Sequence, residues 1–119
     1  MDETELQTRA RAFASRVRTH VVTPPRGHPD KRILRAAESL ETNCHAAYRA
    51  KTPADFVARM SVAKKKTEES LEWLDILGES PNVARDVLAE LVTEGKALVA
   101  MMTDAIGAAE EGRGKAIAL

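Results

Sequence analysis

An all-α fold, an antiparallel up-down-up-down four-helix bundle, is what this sequence predicts, and three observations predict it. Apolar residues recur at three- and four-residue steps along four separate stretches. Proline-bearing breaks divide those stretches, and two of them carry the cap-plus-proline signature of a helix start. Nowhere does a period-two alternation of apolar and polar residues compete.

The first pattern runs from about Glu5 to Val21, with Leu6, Ala10, Phe13, Val17 and Val21 on a narrow stripe. Arg9 and Arg16 flank that stripe on one side, Arg11 and Arg18 on the other. TPPRGHP, from Thr23 to Pro29, then ends the helix, because its prolines lack a backbone donor and disfavour helical geometry before them. A second helix is expected from Pro29 or Asp30 to about Arg49, with Ile33, Ala37, Leu40, Cys44 and Ala47 facing the core.

Thr52-Pro53-Ala54-Asp55 reads as a threonine N-cap, proline at N1 and an acid at N3. The third helix continues through Phe56, Met60, Ala63, Thr67, Leu71, Leu74 and Leu77 to Gly78, a natural C′ residue. Ser80-Pro81 repeats the device and opens a fourth helix with a broad stripe from Val83 to Ile106. Residues 1–111 form the bundle domain, and GRGKAIAL at 112–119 is expected as a disordered C-terminal tail. Short connections make successive helices antiparallel neighbours.

With 119 residues and 13.0 kDa the chain makes one domain. Aromatics are only 3%, so the core is aliphatic, which suits helix-on-helix packing. MDETELQTRARAF at the start lacks the apolar region of a signal peptide. The longest apolar run, Ala97 to Met102, is far short of the ~20 residues that span a bilayer. A single cysteine forms no intrachain disulfide, and a reducing cytoplasm is the expected location.

Asn43-Cys44-His45 invites a reading as a reactive site, but successive helical residues diverge by about 100°. Cys44 falls in the core stripe, and His45 falls outside it beside Glu41, a pairing partner one turn earlier. No metal site, P-loop or nucleophile elbow is present, so the chain reads as non-enzymatic and without a cofactor. Asn43 follows Ser39 by one turn along one edge of the apolar face, where its amide specifies which helix packs where. Lys64, Lys65 and Lys66 fan out around their helix, with Lys65 outward and the others pairing with Glu68 and Glu69. Glu68, Glu72 and Asp75 share a solvated acidic face.

Surplus apolar residues point to self-association. Val62, Trp73 and Ile76 lie on a second face behind the core stripe of the third helix, and Leu34 stands off the core beside Glu38 and Glu41. With Ser39 and Asn43 they make up the expected subunit interface; a wide core stripe is the alternative reading. Charge is divided as well. Up to Lys66 the chain carries 14 Lys and Arg against 7 Asp and Glu, and from Thr67 onward 4 against 11, although the whole is neutral. Either a charged partner or copies of the chain meet these halves, or basic and acidic helices pair internally.

RAAESLETN, then TPADF, then a Glu-x-x-x-Trp-Leu run resembles the four-helix-bundle proteins of the 23S rRNA intervening-sequence family. Arg35, Ala36, Ser39, Leu40 and Asn43 match in register that family's Arg-Ala-x-x-Ser-Ile-x-x-Asn pattern, and Asp55-Phe56 and Trp73-Leu74 match further on. Ala63 and Glu69 fit its Ala-x-Gly-Ser-x-x-Glu, with Lys65 and Lys66 in place of Gly-Ser; Cys44-His45-Ala46-Ala47 replaces Ile-Ala-Glu-Gly. The resemblance, over about Glu5 to Ile106, implies a homopentamer of antiparallel bundles with no established catalytic centre. It also implies kinship with the accessory variability determinant of diversity-generating retroelements, a pentameric bundle that binds a reverse transcriptase and nucleic acid.

Together, the basic half and the resemblance point to a non-enzymatic homo-oligomeric adaptor. Its expected partners are copies of itself, RNA or DNA, and a reverse transcriptase, with no membrane. Arg9, Arg16, Arg18, Arg26, Arg35, Arg49, Lys51 and Arg59 are the expected phosphate contacts. The alternative is a purely structural or protein-binding oligomer with no nucleic-acid role.

Overall fold

A computed structural model describes residues 3–23, 28–78 and 83–118, with side chains at 3–21, 30–78 and 83–112. The elements are α1 (Glu5–His20), β1 (Val22–Thr23), β2 (His28–Pro29), α2 (Lys31–Ala47), α3 (Pro53–Leu77) and α4 (Arg85–Ala118). Each helix packs on the next in the chain, and α4 returns to α1, so the helices form a closed up-down bundle. The molecule measures 59 × 22 × 21 Å.

Local chemistry explains where each helix begins. Thr4 caps α1 with a full capping box: its hydroxyl accepts from Gln7 N–H, and Gln7 Oε1 accepts from Thr4 N–H at 2.9 Å. Thr52 caps α3 by accepting from Asp55 N–H at 3.1 Å, with Pro53 as the first helical residue. Asp30 caps α2, accepting from the backbone N–H groups of Arg32 at 2.9 Å and Ile33 at 3.3 Å, and from the Arg32 guanidinium at 3.0 Å.

The buried Asp30 carboxyl carries an opposed balance. Burial pushes its pKa up, but the hydrogen bonds from Arg32 and Ile33 and the Arg32 charge outweigh it, leaving it below the ordinary 3.8. A carboxyl whose folded value is depressed contributes its stability above 3.8 and loses it as pH falls through the lower folded value. Asp30→Ala is therefore expected to cost about 1 kcal/mol at neutral pH. Urea denaturation should show that cost shrinking toward zero in acid.

The core matches the periodicity. Leu6, Ala10, Phe13, Val17 and Val21 are buried, as are Ile33, Ala37, Leu40, Cys44 and Ala47, and Met60, Ala63, Thr67, Leu74 and Leu77. Leu91, Leu98 and Met102 complete it from α4. Phe56 and Leu71 are half-buried and pack on its edge. Thr67 sits in the core at no desolvation penalty, because its hydroxyl donates to Ala63 O at 2.8 Å.

Four features differ from the sequence reading. The proline-bearing break forms a minimal antiparallel ladder, Val22 opposite Pro29 and Thr23 opposite His28, where no strand was expected. Residues preceding proline favour extended geometry, and an extended chain that doubles back can pair. Gly78 caps α3 with φ −63 in the right-handed region, so it is not a left-handed C′ glycine. It sits close against α4: a Cβ there would lie 2.8 Å from Leu88 Cδ2, the movable end of a side chain. α4 begins at Arg85, not at Pro81, and the expected Ser80-Pro81 cap lies outside the described residues. Finally, the α4 backbone stays helical to Ala118, across the stretch expected as a tail. Its alanines, arginine and lysine favour helix, against a cost of about 1 kcal/mol for each glycine.

Candidate nucleic-acid and subunit interfaces

The α1 arginines point as the helical wheel places them, and what they meet is acidic. Arg9 makes a two-pronged bond to Glu94 of α4, at 2.7 and 3.1 Å, with Glu5 3.6 Å away and Met101 Sδ accepting at 3.3 Å. The Glu94 hydrogen bond, with the charges of Glu94 and Glu5, raises the Arg9 pKa against the opposing pull of burial. Arg16 bonds Glu90 of α4 at 2.5 Å. On the other side of α1, Arg11 pairs with Glu3 and lies 3.8 Å from Glu41 of α2, while Arg18 lies 3.7 Å from Glu38. Basic and acidic helices thus pair internally, and Arg9, Arg16 and Arg18 are engaged within the subunit.

Of the remaining expected phosphate contacts, Arg35 lies near the start of α2, Arg49 and Lys51 lie in the α2–α3 connection, and Arg59 lies in the second turn of α3. Arg35, Arg49 and Lys51 are exposed and make no ion pair among the described residues. Arg59 is exposed and holds Asp55 of its own helix at 3.3 Å. Arg49 and Arg59 line an open cleft of about 480 Å³ with Glu41, His45 and Asp55. Arg26 lies outside the described residues.

Cys44 is fully buried, and burial pushes its thiol up to about 11, far from a reactive thiolate. His45 does not pair with Glu41 as expected. Gln7 Oε1 is held by Thr4 N–H, so the Gln7 amide nitrogen donates to His45 Nδ1 at 3.2 Å, tying α1 to α2. Glu41 turns instead toward Arg11. Asn43 Nδ2 donates to Ser39 O at 2.9 Å and Ser39 Oγ at 3.2 Å, so the half-buried pair interlocks along one edge of α2. Among the described residues, no three His, Cys, Asp or Glu side chains converge on a metal position.

The expected subunit interface divides into separate places. Leu34 lies half-buried on the α1-facing edge of α2, the side that carries Glu38 and Glu41. Ser39 and Asn43 lie on the opposite edge with Arg32, which reaches α3: its guanidinium covers the Trp73 ring at 4.4 Å. Antiparallel pairing then places Val62, 41% exposed, near Asn43. Trp73, on the second face of α3, is half-buried against the core, while Ile76 stands 55% exposed beside it. The Lys66–Glu69 pair, at 3.0 Å, separates Val62 from these two along α3.

Arg32 and Tyr48 were not among the residues singled out from the sequence. Arg32 precedes Ala36, Ser39 and Asn43 on one helical line, which was a readable signal; that it caps Trp73 depends on how α2 meets α3. Tyr48, 37% exposed, meets Phe56 edge-on at 5.3 Å, a contact across the α2–α3 connection that periodicity does not report.

No described helix is long and apolar enough to cross a membrane. No family model and no curated protein matches this sequence. A solved structure does: a protein of unknown function from the S23 ribosomal protein family of Bacteroides thetaiotaomicron. The match has a TM-score of 0.73 and 21% identity, covering 85% of this chain and 97% of that one. At that identity the likeness is one of fold, and this chain is built on the same four-helix architecture as that S23-family protein.

Proposed function

We propose that this chain is a member of the S23, or 23S rRNA intervening-sequence, family and acts as a non-enzymatic homo-oligomeric adaptor that binds nucleic acid. The fold likeness and the in-register Arg35, Ala36, Ser39, Leu40 and Asn43 support membership. One observation carries the binding role: Arg35, Arg49, Lys51 and Arg59 stay unpaired or weakly paired among the described residues, while the arginines of α1 are neutralised. An exposed pair within one helix, such as Arg59 with Asp55, is worth only about 0.3–0.5 kcal/mol, so a phosphate displaces the carboxylate readily.

Subunits meet through the Ser39, Asn43 and Val62 seam in this reading, and a pentamer would repeat Arg35, Arg49, Lys51 and Arg59 around a ring. Phe13 is buried and Phe56 lies under Tyr48, so phosphate contacts dominate over base stacking. A reverse transcriptase fits as the protein partner of such an adaptor. Gel-shift titrations with a structured RNA and a duplex DNA test the reading, alongside native mass spectrometry for subunit number. Binding at low salt that weakens steeply between about 50 and about 200 mM is expected. An oligomer that binds neither at low salt overturns it in favour of a purely structural or protein-binding module.

A further inference from the structure

The C-terminal half of α3 carries a surface unlike the cationic one. Trp73 and Ile76 line an open cleft of about 530 Å³, bordered by Glu68, Glu69, Glu72 and Lys65. Ile76 is the most exposed large apolar side chain among the described residues. Glu68 and Glu72 are exposed and make no ion pair among the described residues, whereas Glu69 is held by Lys66. Asp75 adds another exposed carboxylate on the same helix. A phosphate backbone is repelled from such a rim, so the nucleic-acid reading does not account for it.

The chemistry on the surface defines what would cover it. Its centre is apolar, its border is anionic, and its indole already accepts a guanidinium on one face from Arg32, 4.4 Å from the ring centroid. We infer that this cleft docks a basic amphipathic helix of a second protein. The helix sets its apolar side chains on Trp73 and Ile76 and its Arg or Lys residues on Glu68 and Glu72. The site is independent of Arg49, Lys51 and Arg59 and stands whether or not those bind nucleic acid.

Trp73 is the protein's single tryptophan, so its emission reports directly on the cleft. The probes are a synthetic leucine-lysine amphipathic helical peptide and its leucine-glutamate counterpart, titrated into the full chain. The basic peptide is expected to give a saturable blue shift at least about tenfold tighter than the acidic one. E68K/E72K should abolish the shift, while D104K, on α4, leaves it intact; circular dichroism of each free variant confirms an unchanged fold. No shift, an equal response to both peptides, or equal loss in both variants would overturn the inference. So would blue-shifted emission that deepens with protein concentration alone, which would place a second copy in the cleft.

Discussion

Replacing Phe13 with alanine is expected to lower the free energy of unfolding by about 3–5 kcal/mol. Phe13 is 1% exposed and occupies the middle of α1. Its ring packs opposite Gly95 of α4: a Cβ there would stand 3.5 Å from Phe13 Cε2 and 2.7 Å from Leu71 Cδ2. Helices that approach over a glycine cannot collapse much further, so most of the vacated volume stays as a cavity. Against a typical total of about 5–15 kcal/mol, the loss is about a fifth of the stability or more. Urea denaturation should show a lower midpoint with an unchanged slope. A loss below about 1 kcal/mol would mean that α1 is not held by this ring.

Reversing charge at Arg49, Lys51 and Arg59 together should weaken binding to duplex DNA by on the order of 10²–10³ at about 0.1 M salt. Each phosphate contact contributes about 0.9 to the slope of log K against log salt, so the slope should fall by about 3 per engaged subunit. Reversal at Arg9 and Arg16 is the control. Both face carboxylates of α4, so R9E/R16E is expected to loosen the bundle and to leave the salt slope of the folded fraction unchanged. Filter binding across a salt series, with thermal unfolding in parallel, separates the outcomes. Equal slopes for the triple variant and the parent would remove the α2–α3 cations from the interface.

The arginines of α1 show what the sequence makes legible and what it hides. A 100° wheel separates Arg9 and Arg16 from Arg11 and Arg18, and the structure places them on opposite sides of α1. Their partners stayed hidden, because Glu94 and Glu90 lie 85 and 74 residues away in the chain. The same limit applies to Trp73. Periodicity set it behind the core stripe, but its cover by Arg32 depends on the register of α2 against α3. Gly78 was legible as an end and illegible as a contact, since its closeness to Leu88 depends on how α3 meets α4. The β1–β2 ladder has two residues per strand, too short for any alternation to show.

Closure between α1 and α4 has a consequence for how the protein is made. A ribosome delivers α1 first and the 34 residues of α4 last, at about 5–20 residues per second. For a few seconds the nascent chain is an open trough, with Phe13 and Leu74 uncovered and Arg9 and Arg16 waiting for carboxylates not yet translated. Arg9 and Arg16 meet their α4 carboxylates only once Glu90 and Glu94 emerge, and those pairs then join α4 to α1.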